Sequence, residues 1–171
     1  LFRSGCSPEK LKFICENFSD TRLTYDEDFY HDVQANFWDA NPEIGAWRRY
    51  HIEATRRTGH ITTYGGRRIQ IPNLNSKREW DRAEAERQAV NYVVQGSCAD
   101  IMKLIMLKFD ENAALRMLAV VHDEVLGEYD LRHDKKLVKN VIDDIMTKTC
   151  SLRNVPIECD TKLVSNWAEA K

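Results

Sequence analysis

The chain has 171 residues, of which 43% are hydrophobic and 30% are charged. This length suits one domain with a sizeable core, and the composition is typical of a globular protein. No apolar run approaches the roughly 20 residues that a membrane helix requires, and the first residues lack a signal-peptide pattern. We therefore expect an intracellular protein without a membrane partner.

The charged residues are unevenly distributed, although the net charge is only −2. Residues 1–47 hold four basic and nine acidic side chains, whereas residues 48–87 hold ten basic and five acidic ones. A basic middle in an acidic chain indicates a local anion-binding surface, and phosphate is the usual anion. Chance clustering on a solvated surface is the alternative that composition leaves open.

The five cysteines are an odd number, and no two have the spacing of a zinc or redox motif. Cys98 lies in a helical pattern and Cys159 in a strand-like one. We interpret the cysteines as small buried hydrophobic residues.

Helices dominate the first third of the sequence. The pattern predicts helices over residues 8–18, 24–41 and 42–57. Pro8 suits the first helical position after a Ser7 cap, and Thr24 with Glu27 forms a capping box. Gly59 is placed to close the third helix.

The period then changes to that of strands. Residues 61–64 and 68–71 are rich in β-forming residues and flank two glycines, which predicts a hairpin. Arg67 and Arg68 follow these glycines, where backbone and guanidinium groups can approach a ligand closely. Arginine pairs of this kind are common on surfaces, so the pattern alone leaves a plain solvated turn open.

A long helix is predicted from Lys77 to about Phe109, interrupted only at Gly96. Arg87, Asn91 and Gln95 are spaced four residues apart, which places three hydrogen-bonding side chains on one helix face. This polar stripe suits base edges and sugar-phosphate oxygens. A solvated helix face is the alternative.

The most unusual segment is residues 118–127, with the sequence LAVVHDEVLG. Two strands, 115–121 and 125–129, are predicted to meet at His122, Asp123 and Glu124. Burying these ionisable groups would cost several kcal/mol (~2–7 for a polar group) unless a partner or an ion compensated them. Adjacent carboxylates repel each other unless a divalent cation lies beside them.

A carboxylate pair on a hairpin is one way to hold Mg²⁺ for phosphoryl chemistry. Successive strand residues point to opposite faces, so Asp123 and Glu124 alone do not easily bridge two ions. A further carboxylate must then come from elsewhere.

The remaining sequence predicts an amphipathic helix from Leu137 to about Thr149 and a final strand over 156–164, beside the hairpin. No repeat, low-complexity tract or linker is present. The prediction is an α+β fold in one continuous unit, without an independent second domain.

These motifs carry a resemblance. Residues 121–125 (VHDEV) resemble the palm-hairpin motif of family A DNA polymerases, the bacterial DNA polymerase I family. Residues 63–72 (TYGGRRIQIP) are similar to that family's threonine–glycine–arginine–arginine–proline segment, and residues 85–103 to its long palm helix. The ending, 156–167, resembles the terminal strand, so the likeness runs from about Phe37 onward in the right order.

The resemblance implies a fold of helices packed on a small antiparallel palm sheet with a catalytic β-hairpin. Residues 1–60 would form distal fingers helices, and residues 61–171 the C-terminal palm subdomain. It also implies template-directed addition of dNTP to a primer 3′ end by two-metal phosphoryl transfer. The implied cofactor is Mg²⁺, and the implied partners are primer–template DNA and dNTP.

The resemblance assigns roles residue by residue. Asp123 matches the metal-binding palm aspartate, and Glu124 matches its acidic partner; both would be catalytic. The residues implied to bind DNA are Arg67, Arg68, Arg87, Asn91, Gln95 and His122. His122 would lie near the primer terminus, the stripe near the nascent base pair, and the two arginines near the DNA backbone.

Departures from the family pattern are equally informative. The family's first catalytic aspartate has no counterpart in this sequence, and neither does the fingers helix whose arginine and lysine grip the triphosphate. We therefore expect activity only together with an N-terminal polymerase fragment or subunit. The alternatives are a non-catalytic nucleic-acid-binding subunit and a relative of the single-subunit RNA polymerases. By resemblance, Glu124 argues against the RNA polymerase alternative.

Overall fold

The computed structural model describes residues 6–18, 25–152 and 155–170, and it is α+β as predicted. Contacts divide the chain into two units, residues 1–97 and 98–171. The elements are α1 (Pro8–Phe18), α2 (Glu27–Ala40), α3 (Pro42–Thr58), β1 (His60–Thr62), β2 (Arg68–Gln70), α4 (Glu79–Asp110), β3 (Leu115–Val121), β4 (Glu124–Tyr129), α5 (Lys135–Lys148) and a 3₁₀ helix (Trp167–Ala170). In the described ranges, every helix is too short or too polar to cross a membrane.

The caps explain where the first helices begin and end. The α2 helix begins at Glu27 because the Asp26 carboxylate accepts a hydrogen bond from the Phe29 N–H at 2.9 Å. The start predicted at Thr24 is therefore wrong for this helix, and Thr24 itself lies outside the described residues. Gly59 closes α3 with φ 75°, as predicted.

The first unit has one main apolar core. It joins α3, the β1–β2 hairpin, the loop after β2 and the first half of α4. The buried members are Ile52, Ile61, Ile71, Leu74, Ala85, Ala89 and Val90. A smaller cluster of Cys6, Leu11 and Tyr30 joins α1 to α2. The expected burial of the cysteines holds for Cys6 but is wrong for Cys98, which is exposed.

Gly96 does not interrupt α4, contrary to the prediction. The helix continues through this residue, and the turn after β1 lies directly against it. A Cβ atom at position 96 would lie 2.8 Å from Cγ2 of Thr63 and 3.3 Å from Cδ1 of Ile69. The missing side chain therefore serves close packing of a hairpin on a helix rather than a helix break.

The second unit contains an antiparallel pair, β3 and β4. Met117 faces Gly127 and Ala119 faces Leu126, so Leu118 is an extra residue that makes a β-bulge. The following α5 helix begins at Lys135 because Asp134 accepts a hydrogen bond from the Leu137 N–H.

The final strand predicted over 156–164 is wrong. The described part of this segment pairs with no strand, although exposed and half-buried residues alternate along it. The hydroxyl of Thr161 and the ammonium group of Lys139 lower the pKa of Asp143 on α5, so side chains relate the segment to that helix. Alternation predicts a half-buried extended chain, but a strand also needs a backbone partner.

Replacing Gly96 with Ala should destabilise the chain, by about 1–2 kcal/mol, because overpacking against the buried Thr63 outweighs the helix propensity of Ala. Gly45 on α3 is the matched control, since a Cβ there meets nothing nearer than Arg49 Nη1 at 3.5 Å. Gly45→Ala should stabilise by about 0.5–1 kcal/mol. Urea unfolding of both variants measures the difference, and equal stabilisation would contradict the packing at Gly96.

Candidate nucleic-acid interface and metal centre

The β3–β4 turn presents the ionisable cluster at its tip. Val121 pairs with Glu124, which leaves His122 and Asp123 as a two-residue turn. His122 has φ 56°, in the left-handed region that residues other than glycine seldom adopt. His122, Asp123 and Glu124 are all exposed, so the desolvation cost considered from the sequence does not arise. The charges are instead accessible to a partner.

The donor chemistry of this turn suits Mg²⁺, which prefers carboxylate oxygens. The turn contributes only Asp123 and Glu124, which are adjacent in sequence. Among the described residues, three potential ligand atoms come together only at Glu9, Glu27 and His31, which are all exposed and lie in the first unit. The carboxylates at the turn therefore have the donor chemistry of part of a magnesium site, and among the described residues no third ligand atom groups with them.

The β1–β2 turn is held against α4 by two polar contacts. The backbone N–H of Tyr64 donates to Oγ of Ser97 at 2.8 Å, and Nη2 of Arg67 donates to the carbonyl of Gly96 at 3.1 Å. Arg68, the first residue of β2, is exposed. Both arginines are exposed, but they differ in their contacts: the guanidinium of Arg67 joins the turn to the helix, whereas Arg68 is accessible to a phosphate.

The polar stripe is a single face of α4, because the helix is continuous from Glu79 to Asp110. Gln95 is exposed, whereas Asn91 and Arg87 are half-buried. Arg87 forms an ion pair with Glu84 one turn earlier, and this contact is the main reason why the pKa of Glu84 is lowered. Glu84 therefore holds the guanidinium in place while partly neutralising its attraction for phosphate.

One exposed residue on the same face was missed from the sequence. Trp80 lies seven residues before Arg87, and 78% of its surface is exposed. In the structure, Ser76 accepts a hydrogen bond from the N–H of Arg78, and α4 begins at Glu79. The helical spacing of Trp80 from Arg87 was the available signal.

The predicted site residues fall into two groups. The first unit holds Arg67, Arg68, Arg87, Asn91 and Gln95, and the second unit holds His122, Asp123 and Glu124. In the first unit, the two arginines lie on the β1–β2 hairpin and the other three residues share one face of α4. In the second unit, the three residues lie together at the β3–β4 turn.

Known proteins resemble this chain over most of its length. The sequence-family model of DNA polymerase family A matches residues 20–169 of this chain. The thermostable DNA polymerase I of Thermus aquaticus is 34% identical over 148 residues, which are 83% of this chain and 18% of that polymerase. The DNA polymerase I of Borreliella burgdorferi is 34% identical over 139 residues, which are 78% of this chain and 15% of that one.

A solved structure shares the fold. The POL domain of Pol1 from M. smegmatis, in complex with DNA primer-template and dNTP, superposes with a TM-score of 0.77 and 27% sequence identity over 91% of this chain and 27% of that chain. The aligned part of this chain corresponds to less than a fifth of the length of the Thermus and Borreliella polymerases. Since the family model covers both hairpins and the long helix between them, the chain belongs to DNA polymerase family A.

Proposed function

We propose that the chain is the C-terminal fingers and palm part of a DNA-directed DNA polymerase, which adds dNTP to a primer 3′ end under the direction of a template. The observation that carries this proposal is the exposed Asp123–Glu124 turn in a chain of DNA polymerase family A. The related Pol1 domain was solved with DNA primer-template and dNTP, which supports the same ligands here. Residues 1–60 would be the distal fingers helices and residues 61–171 the palm subdomain.

Asp123 would hold Mg²⁺, with Glu124 as its adjacent acidic partner. Bound Mg²⁺ supplies Lewis-acid stabilisation of the charge that develops on the transferring phosphoryl group. The short turn restricts the backbone on either side of Asp123, which favours precise placement of its carboxylate. A further carboxylate from outside this chain would complete the two-metal site.

The DNA contacts would come from three places. Arg68 would bind a backbone phosphate, because its guanidinium is exposed beside the β1–β2 turn. Asn91 and Gln95 would pair with base or sugar edges, with Arg87 held ready by Glu84. His122 would lie near the primer terminus. The contacts of Arg67 favour a role in holding its turn on α4 alongside any contact with DNA.

Catalysis would need an N-terminal polymerase portion, because this chain contributes only one part of the carboxylate set. That portion would contain the family's first catalytic aspartate and the helix that grips the triphosphate. We also propose an intracellular location, where template and dNTP are found.

Replacing Asp123 with Asn in the assembled polymerase should lower primer extension with Mg²⁺ by orders of magnitude, because a metal-binding charge is lost. DNA affinity, measured by fluorescence anisotropy, should change little. Asp110→Asn, at the exposed end of α4, is the matched control and should leave both values unchanged. Unchanged extension by Asp123→Asn would favour a non-catalytic binding subunit, and extension by the chain alone would contradict the need for a second portion.

The two arginines of the β1–β2 turn should respond differently to salt. Arg68→Ala should reduce the slope of log affinity for duplex DNA against log salt by about 0.9, the value for one lost phosphate contact. Arg67→Ala should leave the slope closer to that of the parent chain and lower the free energy of unfolding, because its hydrogen bond to Gly96 is lost. Equal slope changes in the two variants would argue against this division.

Position 122 should accept glycine more readily than a β-branched residue, because the backbone φ there is positive. His122→Gly should unfold at the same or a higher urea concentration, whereas His122→Val should lose about 1–3 kcal/mol. If the imidazole also contacts the primer, His122→Gly will weaken DNA binding without loss of stability. Equal stability of the two variants would contradict a backbone constraint at this turn.

A further inference from the structure

A small cavity lies where the loop after β2 meets the first turns of α4. Its volume is about 190 Å³, and it belongs entirely to the first unit. Its lining includes one indole, two carboxylates and two side-chain amides, from Trp80, Asp81, Glu84, Asn73 and Gln88. Pro72 and Ala85 complete the lining, so the cavity combines a few apolar walls with several convergent polar groups.

The position of Trp80 connects this cavity to the polar stripe. At 3.6 residues per turn, Trp80, Arg87, Asn91 and Gln95 lie within an arc of about 80° on α4. From Trp80 to Gln95 this face extends for about 22 Å. The indole thus continues the proposed DNA-binding face by two turns toward the start of the helix.

The lining selects against a phosphate in the cavity itself, because Asp81 and Glu84 would repel it. Both carboxylates already have partners within the chain. Glu84 is already paired with Arg87 and accepts a hydrogen bond from Gln88 at 3.2 Å, and Asp81 accepts one from Ser76 at 3.2 Å. The basic residues Lys77, Arg78 and Arg82 precede and follow Trp80 in the sequence and raise the local positive charge.

A neutral, planar ring with hydrogen-bonding edges satisfies these conditions. Indole faces stack on nucleobases, and side-chain amides pair with the edge of a base such as adenine. The exposed Lys77 and Arg78 suit the phosphates that flank such a base. Stacking on an indole requires an exposed base face, which a base offers when it leaves the duplex stack.

We propose that this cavity binds one unpaired nucleobase of a single-stranded segment, stacked on Trp80. The proposal rests on the proposed function, because it extends the DNA-binding face of α4. Trp80 is the binding residue, and Asn73 and Gln88 contact the edge of the base.

The test is binding of a short fluorescein-labelled single-stranded oligonucleotide, followed by anisotropy over a series of salt concentrations. Trp80→Ala should weaken binding on the order of tenfold with an unchanged salt slope, because stacking is lost and no phosphate contact is removed. Trp80→Phe keeps an aromatic face and should retain most of the affinity. Tyr50→Ala is the matched control, since Tyr50 is also exposed, at 64%, but lies on α3 and does not line the cavity.

An oligonucleotide of the same length made only of abasic nucleotides provides a second arm that requires no folded variant. The parent chain should bind it on the order of tenfold more weakly than the base-bearing strand, and Trp80→Ala should narrow this difference to what the other base contacts contribute. Equal binding of the two strands by the parent chain, or unchanged affinity in Trp80→Ala, would overturn the proposal. If Arg68→Ala still weakens binding in that case, the base subsite alone fails; if no variant matters, the DNA-binding face fails as well.

Discussion

The turn between β1 and β2 lies directly on α4 because Gly96 has no side chain. Two features accompany this contact. The helix remains continuous, which keeps Arg87, Asn91 and Gln95 in phase on one face. The turn is also close enough for Arg67 to donate to the Gly96 carbonyl. A single missing Cβ thus brings an arginine-bearing hairpin and a polar helix face into one unit, which is what an extended polyanion requires.

Some basic side chains of the first unit are engaged in ion pairs within the chain. The excess of basic residues between 48 and 87 suggested an anion-binding surface, yet several of these cations are engaged within the chain. Arg56 pairs with Glu86, and Arg87 pairs with Glu84. Exposed pairs of this kind contribute little stability, about 0–1 kcal/mol, so their main effect is to orient long side chains. The positive charge available to the proposed DNA partner is therefore smaller than the count of basic residues implies.

The β3–β4 turn is defined by constraints on its backbone. A two-residue connection leaves little freedom to the backbone, and the positive φ of His122 adds a constraint that an ordinary side chain resists. Such strain is retained where neighbouring structure over-determines the conformation, and it is common beside functional groups. A bulge at Leu118 in the same hairpin increases the local twist of its strands. Both features belong to the hairpin that presents Asp123 at its turn.

The sequence by itself determined the features that depend on local chemistry. It predicted the two hairpins, the closure of α3 by Gly59, and the shared face of Arg87, Asn91 and Gln95, because turn residues and helical spacing act over a few residues. Its motifs also identified the polymerase family, which the family model confirms.

Tertiary structure decided the features that depend on distant partners. It decided that the alternating segment 156–164 lacks a strand partner within the described chain, and that Gly96 serves packing instead of breaking its helix. It also showed that Arg67 bonds to α4, and that Trp80 remains exposed beside a cavity. Periodicity states which side of a segment is apolar, but the group that meets that side is set by packing between elements remote in sequence.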